Sequence, residues 1–276
     1  MLNILYSMYR KLFSRKVFFK LNKLIYNCSI RGLGIYNYEN MDVSGERHFI
    51  ENYIQKIAKD KTIFVFDVGA NQGEYTKVLV HGIKNIKVFS FEPHPITYKK
   101  LCESCSGLKD VKLFNCALAD KKDALQLYDY QSKDGSGHAS LDSESFLTVH
   151  KADIIFHKVE VSTVDLICEE NSVDEIDFLK IDVEGFELEV LKGASNKIKS
   201  DKIRLIQFEF TQLNTTRKVF FKDFWELLKD KYNIYRLLPN DLLEIKTYDP
   251  TMCEIFGYQN YIAIHRNLEA AISNMD

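Results

Sequence analysis

The chain has 276 residues, 46% of them hydrophobic and 28% charged, enough for one large α/β domain with a substantial core. A formal net charge of −2 gives no general attraction to nucleic acid, and only four prolines argue against a long disordered linker. Six scattered cysteines include one isolated pair, Cys102 and Cys105, with no second pair to complete a zinc site. They read as reduced thiols of a cytoplasmic protein.

Arg10, Lys11, Arg15, Lys16, Lys20, Lys23 and Arg31 all precede the first acidic residue, Glu39. Within this stretch Leu2, Leu5, Tyr9, Leu12 and Phe13 recur at helical spacing. The unbroken apolar runs are too short for a secretory core or for a membrane span of roughly 20 residues. Residues 1–40 are therefore expected to form a basic amphipathic helical arm, ahead of a catalytic domain over 41–276. The apolar stripe of the arm either packs on that domain or meets an anionic membrane surface through residues 1–30.

From residue 62 onward strand and helix alternate, the pattern of a parallel sheet covered on both faces. Residues 62–68, 86–91 and 111–116 read as strands, with helices over 74–82 and from Pro95 to about Ser106. Residues 124–130 and 159–162 read as extended. Between them, 131–145 is rich in Ser, Gly and Asp and is the best candidate for an active-site loop. Thr163 suits the cap of a helix over 164–171. A fourth parallel strand is expected over 176–183, then a helix with Leu188, Leu191, Ala194 or Ser195, and Ile198 on one face. Strand 202–210 precedes a helix over 217–231 with Phe220, Phe221, Phe224 and Leu228 turned inward and Trp225 in the core. Strands over 232–238 and 258–265 close the sheet.

Ligands of open α/β sheets bind beyond the carboxyl ends of the strands. The first strand runs into Asp67-Val68-Gly69-Ala70-Asn71-Gln72-Gly73, a glycine turn in which Asn71 stands where a dinucleotide fingerprint wants its second glycine. Asp67 beside such a turn suits a cationic ligand better than a diphosphate, and Gly69 and Gly73 let the backbone pass close to it. The second strand ends in Phe91-Glu92-Pro93, an acidic residue at the spacing that grips a ribose diol. After the third, Ala117 and Leu118 are small enough for an adenine ring to lie flat.

These strings resemble the FkbM family of S-adenosylmethionine-dependent methyltransferases. The likeness runs through Ser44-Gly45-Glu46, FDVGANQGEY at 66–75, FEPHP at 91–95, NCALAD at 115–120, Ala139-Ser140-Leu141, IDFLKIDVEGFELEVLKGA at 176–194 and 206–209. It implies a Rossmann-like class I methyltransferase fold, with a mostly parallel seven-stranded sheet and helices on both faces. It also implies methyl transfer to oxygen, frequently on a sugar, so that the partner is a carbohydrate or another small hydroxyl-bearing acceptor. S-adenosylmethionine would meet Asp67, Gly69, Asn71, Gly73, Tyr75, Glu92, Pro93, Ala117, Leu118 and Asp182.

Asp182 and Glu184 stand two apart at a strand end, and in extended chain their carboxylates point the same way. Glu209 ends the expected neighbouring strand. Three converging carboxylates are unfavourable to bury unless they bind something. Asp182 is assigned to the cofactor and reaction centre, and Glu184 or Glu209 to orienting the acceptor hydroxyl. A divalent metal between Asp182 and Glu209 is the alternative, and Glu184 also suits the helix N-terminus that follows. His138, in the Ser/Gly loop, has the chemistry of a general base. His94 is read as a bystander near the ribose.

Overall fold

The β-branched and aromatic runs pair into an eight-stranded sheet ordered β10-β9-β11-β8-β7-β1-β2-β3. A computed structural model describes residues 2–59, 61–132, 134–137, 139–142, 144 and 153–272. The parallel strands are β1 (Ile63–Val68), β2 (Ile86–Phe91), β3 (Val111–Phe114), β7 (Ile176–Ile181) and β8 (Ile203–Phe210). The antiparallel edge holds β9 (Tyr232–Leu238), β10 (Asp241–Glu244) and β11 (Gln259–His265). The direction of strand addition reverses at β1, between β2 and β7, and ligands of this architecture bind at such a switch point. One large apolar cluster covers one face from Phe66 to Tyr261, and a second, including Phe49, Leu79 and Phe178, covers the other.

The expected class holds, with physical departures in detail. An eighth strand, β10, turns back on β9 as a short, mostly exposed hairpin strand with little periodicity to betray it. The third strand stops at Phe114. The chain then enters a separate three-stranded sheet of β4 (Ala117–Leu118), β5 (Asp123–Tyr130) and β6 (Ile154–Ser162). The helix expected after Gly185 is broken into Glu187–Lys192 and Ser195–Lys199. The break sits where Gly193 presses on the Ala119 carbonyl, so closely that an added Cβ would lie 2.0 Å from it. Leu188, Leu191, Ala194 and Ile198 are nonetheless buried together. Phe221, Phe224 and Leu228 point inward from helix Phe221–Leu228, but Phe220 is half exposed at its start.

Of the arm, only the end from Ile30 onward is buried against the domain. Helix α1 (Leu2–Phe13) buries no residue, and α2 (Phe19–Gly32) buries only Ile30 at its far end. The two lean on each other instead: the Tyr9 hydroxyl donates to Asn22 Oδ1 at 2.6 Å, and the Asn22 amide donates to the Phe13 carbonyl at 3.0 Å. The chain joins the body just beyond, where Arg236 donates to the Leu33 carbonyl and Ile35 is fully buried.

The glycine turn after β1 is fixed by packing. Gly69 has φ +81°, and a Cβ there would stand 1.7 Å from the backbone oxygen of Asp182. Gly69→Ala should therefore force β1 and β7 apart and destabilise the fold by about 2–4 kcal/mol. Gly107 has the similar φ of +83° with nothing within 4 Å of its added Cβ. Gly107→Ala should cost only about 1–2 kcal/mol, the left-handed penalty alone. Thermal unfolding of both variants checks the difference.

Candidate cofactor and acceptor site

The turn leaves β1, passes Asn71 at φ +48° and enters helix α3 (Glu74–Gly82) through Gly73 at φ +82°. Sequence reasoning aimed Asp67 at a ligand, but the structure turns it inward. It is fully buried, accepts from the Thr76 hydroxyl at 2.7 Å and lies 3.5 Å from Lys180 Nζ. The glycines also serve packing, and Gly69 lines both the cleft beside Glu92 and the cavity in front of the turn. Gly69 meets the Asp182 backbone, and a Cβ on Gly73 would press on Cys105 Sγ and Leu101 at 2.8 Å.

Glu92 emerges from β2 nearly buried. One carboxylate oxygen accepts the Asn71 N–H at 3.0 Å and the other the His94 N–H at 2.8 Å. Two oxygens offer about four acceptor sites, so two remain for ligand hydroxyls. Burial, against these two backbone donors, pushes the Glu92 carboxyl up to about 7. A cleft opens beside it, lined by Gly69, Asn71, Pro93, Ala117, Leu118 and Phe186 and by Ser136, Gly137 and Ala139 of the loop after β5. It offers an acidic grip next to a flat apolar slot. His94 is no bystander: its ring is fully buried and Nε2 lies 2.9 Å from Asp134.

At the end of β7, Lys180 is enclosed with Asp182 at 3.1 Å and Asp67 at 3.5 Å, its ammonium over the Tyr75 ring at 5.0 Å. Burial favours the neutral amine, but Asp182, Asp67 and Glu46 outweigh it and hold the ammonium firmly charged. Tyr75 lies buried, its hydroxyl donating to Gln207 at 3.1 Å. The Gln207 amide donates to Glu46 at 2.8 Å and to Asn260 at 3.1 Å, and Asn260 donates to the Tyr258 hydroxyl at 3.0 Å. Glu46 also accepts from Ser44 at 2.9 Å, so the Ser44-Gly45-Glu46 string delivers a carboxyl beneath the turn. Burial raises its pKa.

Asp182, Glu184 and Glu209 line one pocket with Tyr36, Tyr38, Thr211 and Tyr258. The extended-chain argument for pairing Asp182 with Glu184 fails, because β7 ends at Ile181 and Glu184 has φ +53°. The carboxylates reach the same pocket through the turn instead. Burial, reinforced by Asp182, Glu184 and Glu187, raises the Glu209 carboxyl well above the usual range. A neutral Glu209 donates and accepts hydrogen bonds but takes no proton. Among the described residues the grouping of three ligands within reach of one ion lies elsewhere, at His94, Asp134 and His157. Beside Asp182 the cation is Lys180. His138 lies outside the described residues.

Asp182 also lines the cleft beside Glu92 and a third cavity, in front of the turn with Glu46, Gln72, Tyr75 and Lys180. Sequence reasoning assigned no role to Lys180, Glu46, Gln207 or Tyr258. Lys180 did leave a signal, as a lysine inside β7, a strand whose six residues are all buried and whose other charged residue is Asp177. Tyr36 and Tyr38 left none, because folding alone carries the end of the arm to the pocket mouth.

Residues 67–237, more than half of the chain, match the family described as the methyltransferase FkbM domain. Methyltransferase sdnD of Sordaria araneosa is 30% identical over 49% of this chain. Hexuronic acid methyltransferase AglP of Haloferax volcanii is 24% identical over 60%, and 2-O-methyltransferase NoeI of Sinorhizobium fredii 24% identical over 53%. The chain spans 61%, 63% and 63% of the length of these three relatives. By its family match, the chain belongs to the FkbM methyltransferases.

Proposed function

We propose that the protein transfers the methyl group of S-adenosylmethionine to a hydroxyl of a neutral carbohydrate, in a surface glycan or its precursor. One observation carries this reading: Asp182 borders the acid-gripped cleft, the cavity before the glycine turn and the acidic pocket at once. A methyl donor in the first two would present its sulfonium methyl to an acceptor in the third. Glu92 would hold the ribose, with adenine against Ala117 and Leu118. Tyrosine faces and carboxyl oxygens in the acceptor pocket suit a ligand with many hydroxyl donors and apolar C–H faces. Its described lining contains no Lys or Arg, which disfavours an anionic sugar. The name of AglP, a hexuronic acid methyltransferase, supports a sugar as the acceptor, and that of NoeI, a 2-O-methyltransferase, supports oxygen as the accepting atom; the acid group of a hexuronic acid is the feature this pocket does not match.

The reaction is in-line attack of the hydroxyl oxygen on the methyl carbon, with the C–S bond breaking and neutral thioether leaving. Alignment and exclusion of water do most of the work. Asp182 or Glu184 takes the hydroxyl proton late in the transfer, while Glu209 orients the acceptor. Asp182→Asn should lower kcat about a hundredfold or more, the scale of lost base catalysis. Lys180 can still donate to the amide oxygen, so cofactor affinity should change by no more than about threefold. Isotope transfer from labelled cofactor and calorimetric titration separate the two effects. Equal losses in both would remove Asp182 from the reaction centre.

Cofactor binding should depend on pH through Glu92. Ribose hydroxyls donate to the ionised carboxylate, so binding favours the deprotonated form and releases a proton below about pH 7. Affinity should rise from pH 6 to pH 8 by about tenfold, and Glu92→Gln should bind weakly with a flat profile. A wild-type profile as flat as that of the variant would contradict the assignment.

The arm extends the reading to location. No described helix is long and apolar enough to cross a membrane. Leu2, Ile4, Leu5, Leu12, Phe19 and Leu24 are instead more than half exposed on a hairpin that carries seven basic residues and no acidic one. Such a surface suits the anionic inner face of a membrane, each Lys or Arg there contributing about 1 kcal/mol. The intact chain should co-sediment with anionic vesicles at low salt and be released at high salt. A chain beginning at Ile30 should stay folded and unbound. Equal sedimentation of both would remove the arm from membrane contact.

A further inference from the structure

Two imidazoles and a carboxylate meet beneath the loop that walls the cofactor cleft, and three distant segments deliver them. His94 follows Glu92-Pro93 at the end of β2, Asp134 lies in the loop after β5, and His157 projects from β6. His94 Nε2 and His157 Nε2 stand 2.9 and 2.8 Å from the same oxygen, Asp134 Oδ1. The two rings are edge to face with centroids 4.6 Å apart. Asp129 Oδ2, fully buried, lies 3.5 Å from His94 Nε2. Among the described residues no Lys or Arg forms an ion pair with Asp129 or Asp134. Buried His94 and Asp129 and partly exposed Asp134 and His157 thus stand together without a fixed cation among the described residues, and paired carboxylates of that kind favour a positive partner.

We propose that His94, Asp134 and His157 form a divalent transition-metal site, best matched to zinc, which clips the loop to the sheet. Two imidazole nitrogens and one carboxylate oxygen suit zinc, with water in the fourth position. With metal–ligand bonds of about 2.0–2.2 Å, tetrahedral ligand atoms stand roughly 3.3–3.5 Å apart. The atoms here start at 2.8 and 2.9 Å and all lie within 4.8 Å of one another, so small side-chain shifts complete the shell. Asp129 acts on the loop itself, accepting from the Gly135 and Ser136 N–H groups at 2.8 and 2.9 Å. That grip presents Asp134 to the histidines and sets Ser136 and Gly137 against the cleft. Metal binding moves each ring proton from Nε2 to Nδ1. The Nδ1 of His94 is buried with no hydrogen-bond partner among the described residues, so the site lacks one outer hydrogen bond of the tightest zinc centres. Zinc should therefore bind about 10–100-fold more weakly than at a site whose ligands are all so supported.

The test uses the full chain, stripped with chelator and dialysed, then titrated with zinc in a calorimeter and with cobalt in a spectrophotometer. One equivalent should bind, with visible bands of four-coordinate cobalt and a higher thermal midpoint. His157→Ala, at a partly exposed position, and Asp134→Asn should each weaken binding by at least about tenfold. His81→Ala, at an exposed histidine outside the cluster, should leave it unchanged. Absence of saturable binding by the wild-type chain overturns the proposal, as does wild-type affinity in both cluster variants. Neither readout needs methyl transfer, so failure here is distinct from failure of the functional reading.

Discussion

An ammonium group enclosed on the central strand of an apolar sheet is the constraint on which the site depends. Lys180 belongs to β7, whose residues are all buried, and an isolated charge there is prohibitively unfavourable. Its register partner on β1 is Asp67, so the ion pair and the strand pairing enforce each other. A slip of β7 by one residue would turn Lys180 to the face opposite Asp67 and break the pair. Asp182 closes the arrangement from the far side at 3.1 Å and hands its backbone N–H to Val68. The glycine turn, the end of β7 and the Asp182 carboxylate are thereby held as one unit. Removing the fully buried Asp67 from such a pair is generally worth about 3–5 kcal/mol, much more than any surface pair, whereas Asp182 is partly exposed and its removal costs less.

Around that single cation the acids outnumber the bases. Glu46, Glu92, Glu187 and Glu209 all hold their protons more tightly than ordinary carboxylates, in each case chiefly through burial. Asp182 adds repulsion to each of the four. So many carboxyl groups around one ammonium favour a cationic ligand, where a diphosphate would add further like charge. The sequence argument against a dinucleotide rested on Asn71 in place of a glycine and on Asp67 as a direct ligand. Asp67 is internal, and the surplus of acids lies elsewhere in the site.

How legible each part was follows from how local its cause is. The parallel strands were readable because burial on both faces produces continuous apolar runs, and Thr163 as a cap because its hydroxyl bonds the Leu166 N–H three residues on. The β4-β6-β5 sheet was only half readable: its strands read as extended, but their pairing joins segments some 30 residues apart and no single window shows it. The break at Gly193 depends on the carbonyl of Ala119, far away in sequence. Glu184 misled because a strand-end argument assumes extended backbone, whereas its φ is +53°. Glu92 was accessible as a strand-end acid. Glu46 lay in a quoted string, but only the fold brings it to Gln207, 161 positions later.

The distribution of charge connects the arm to the pocket. Seven basic residues and no acidic ones before Glu39 leave a formal −9 on the remainder, since the whole chain carries −2. An anionic surface attracts one part and repels the other, so contact through the hairpin is oriented without any specific lipid. The hinge between the two is the stretch from Leu33 to Asn40, fixed to the body by Arg236 and by the backbone bond from Tyr36 to Tyr258. Tyr36 and Tyr38, in that same stretch, form part of the wall of the acidic pocket. Under the proposed membrane contact, whatever holds the hairpin therefore also sets where the pocket mouth stands. An acceptor tethered to the same surface then gains effective concentration at that mouth, because search is confined to the layer in which the enzyme sits.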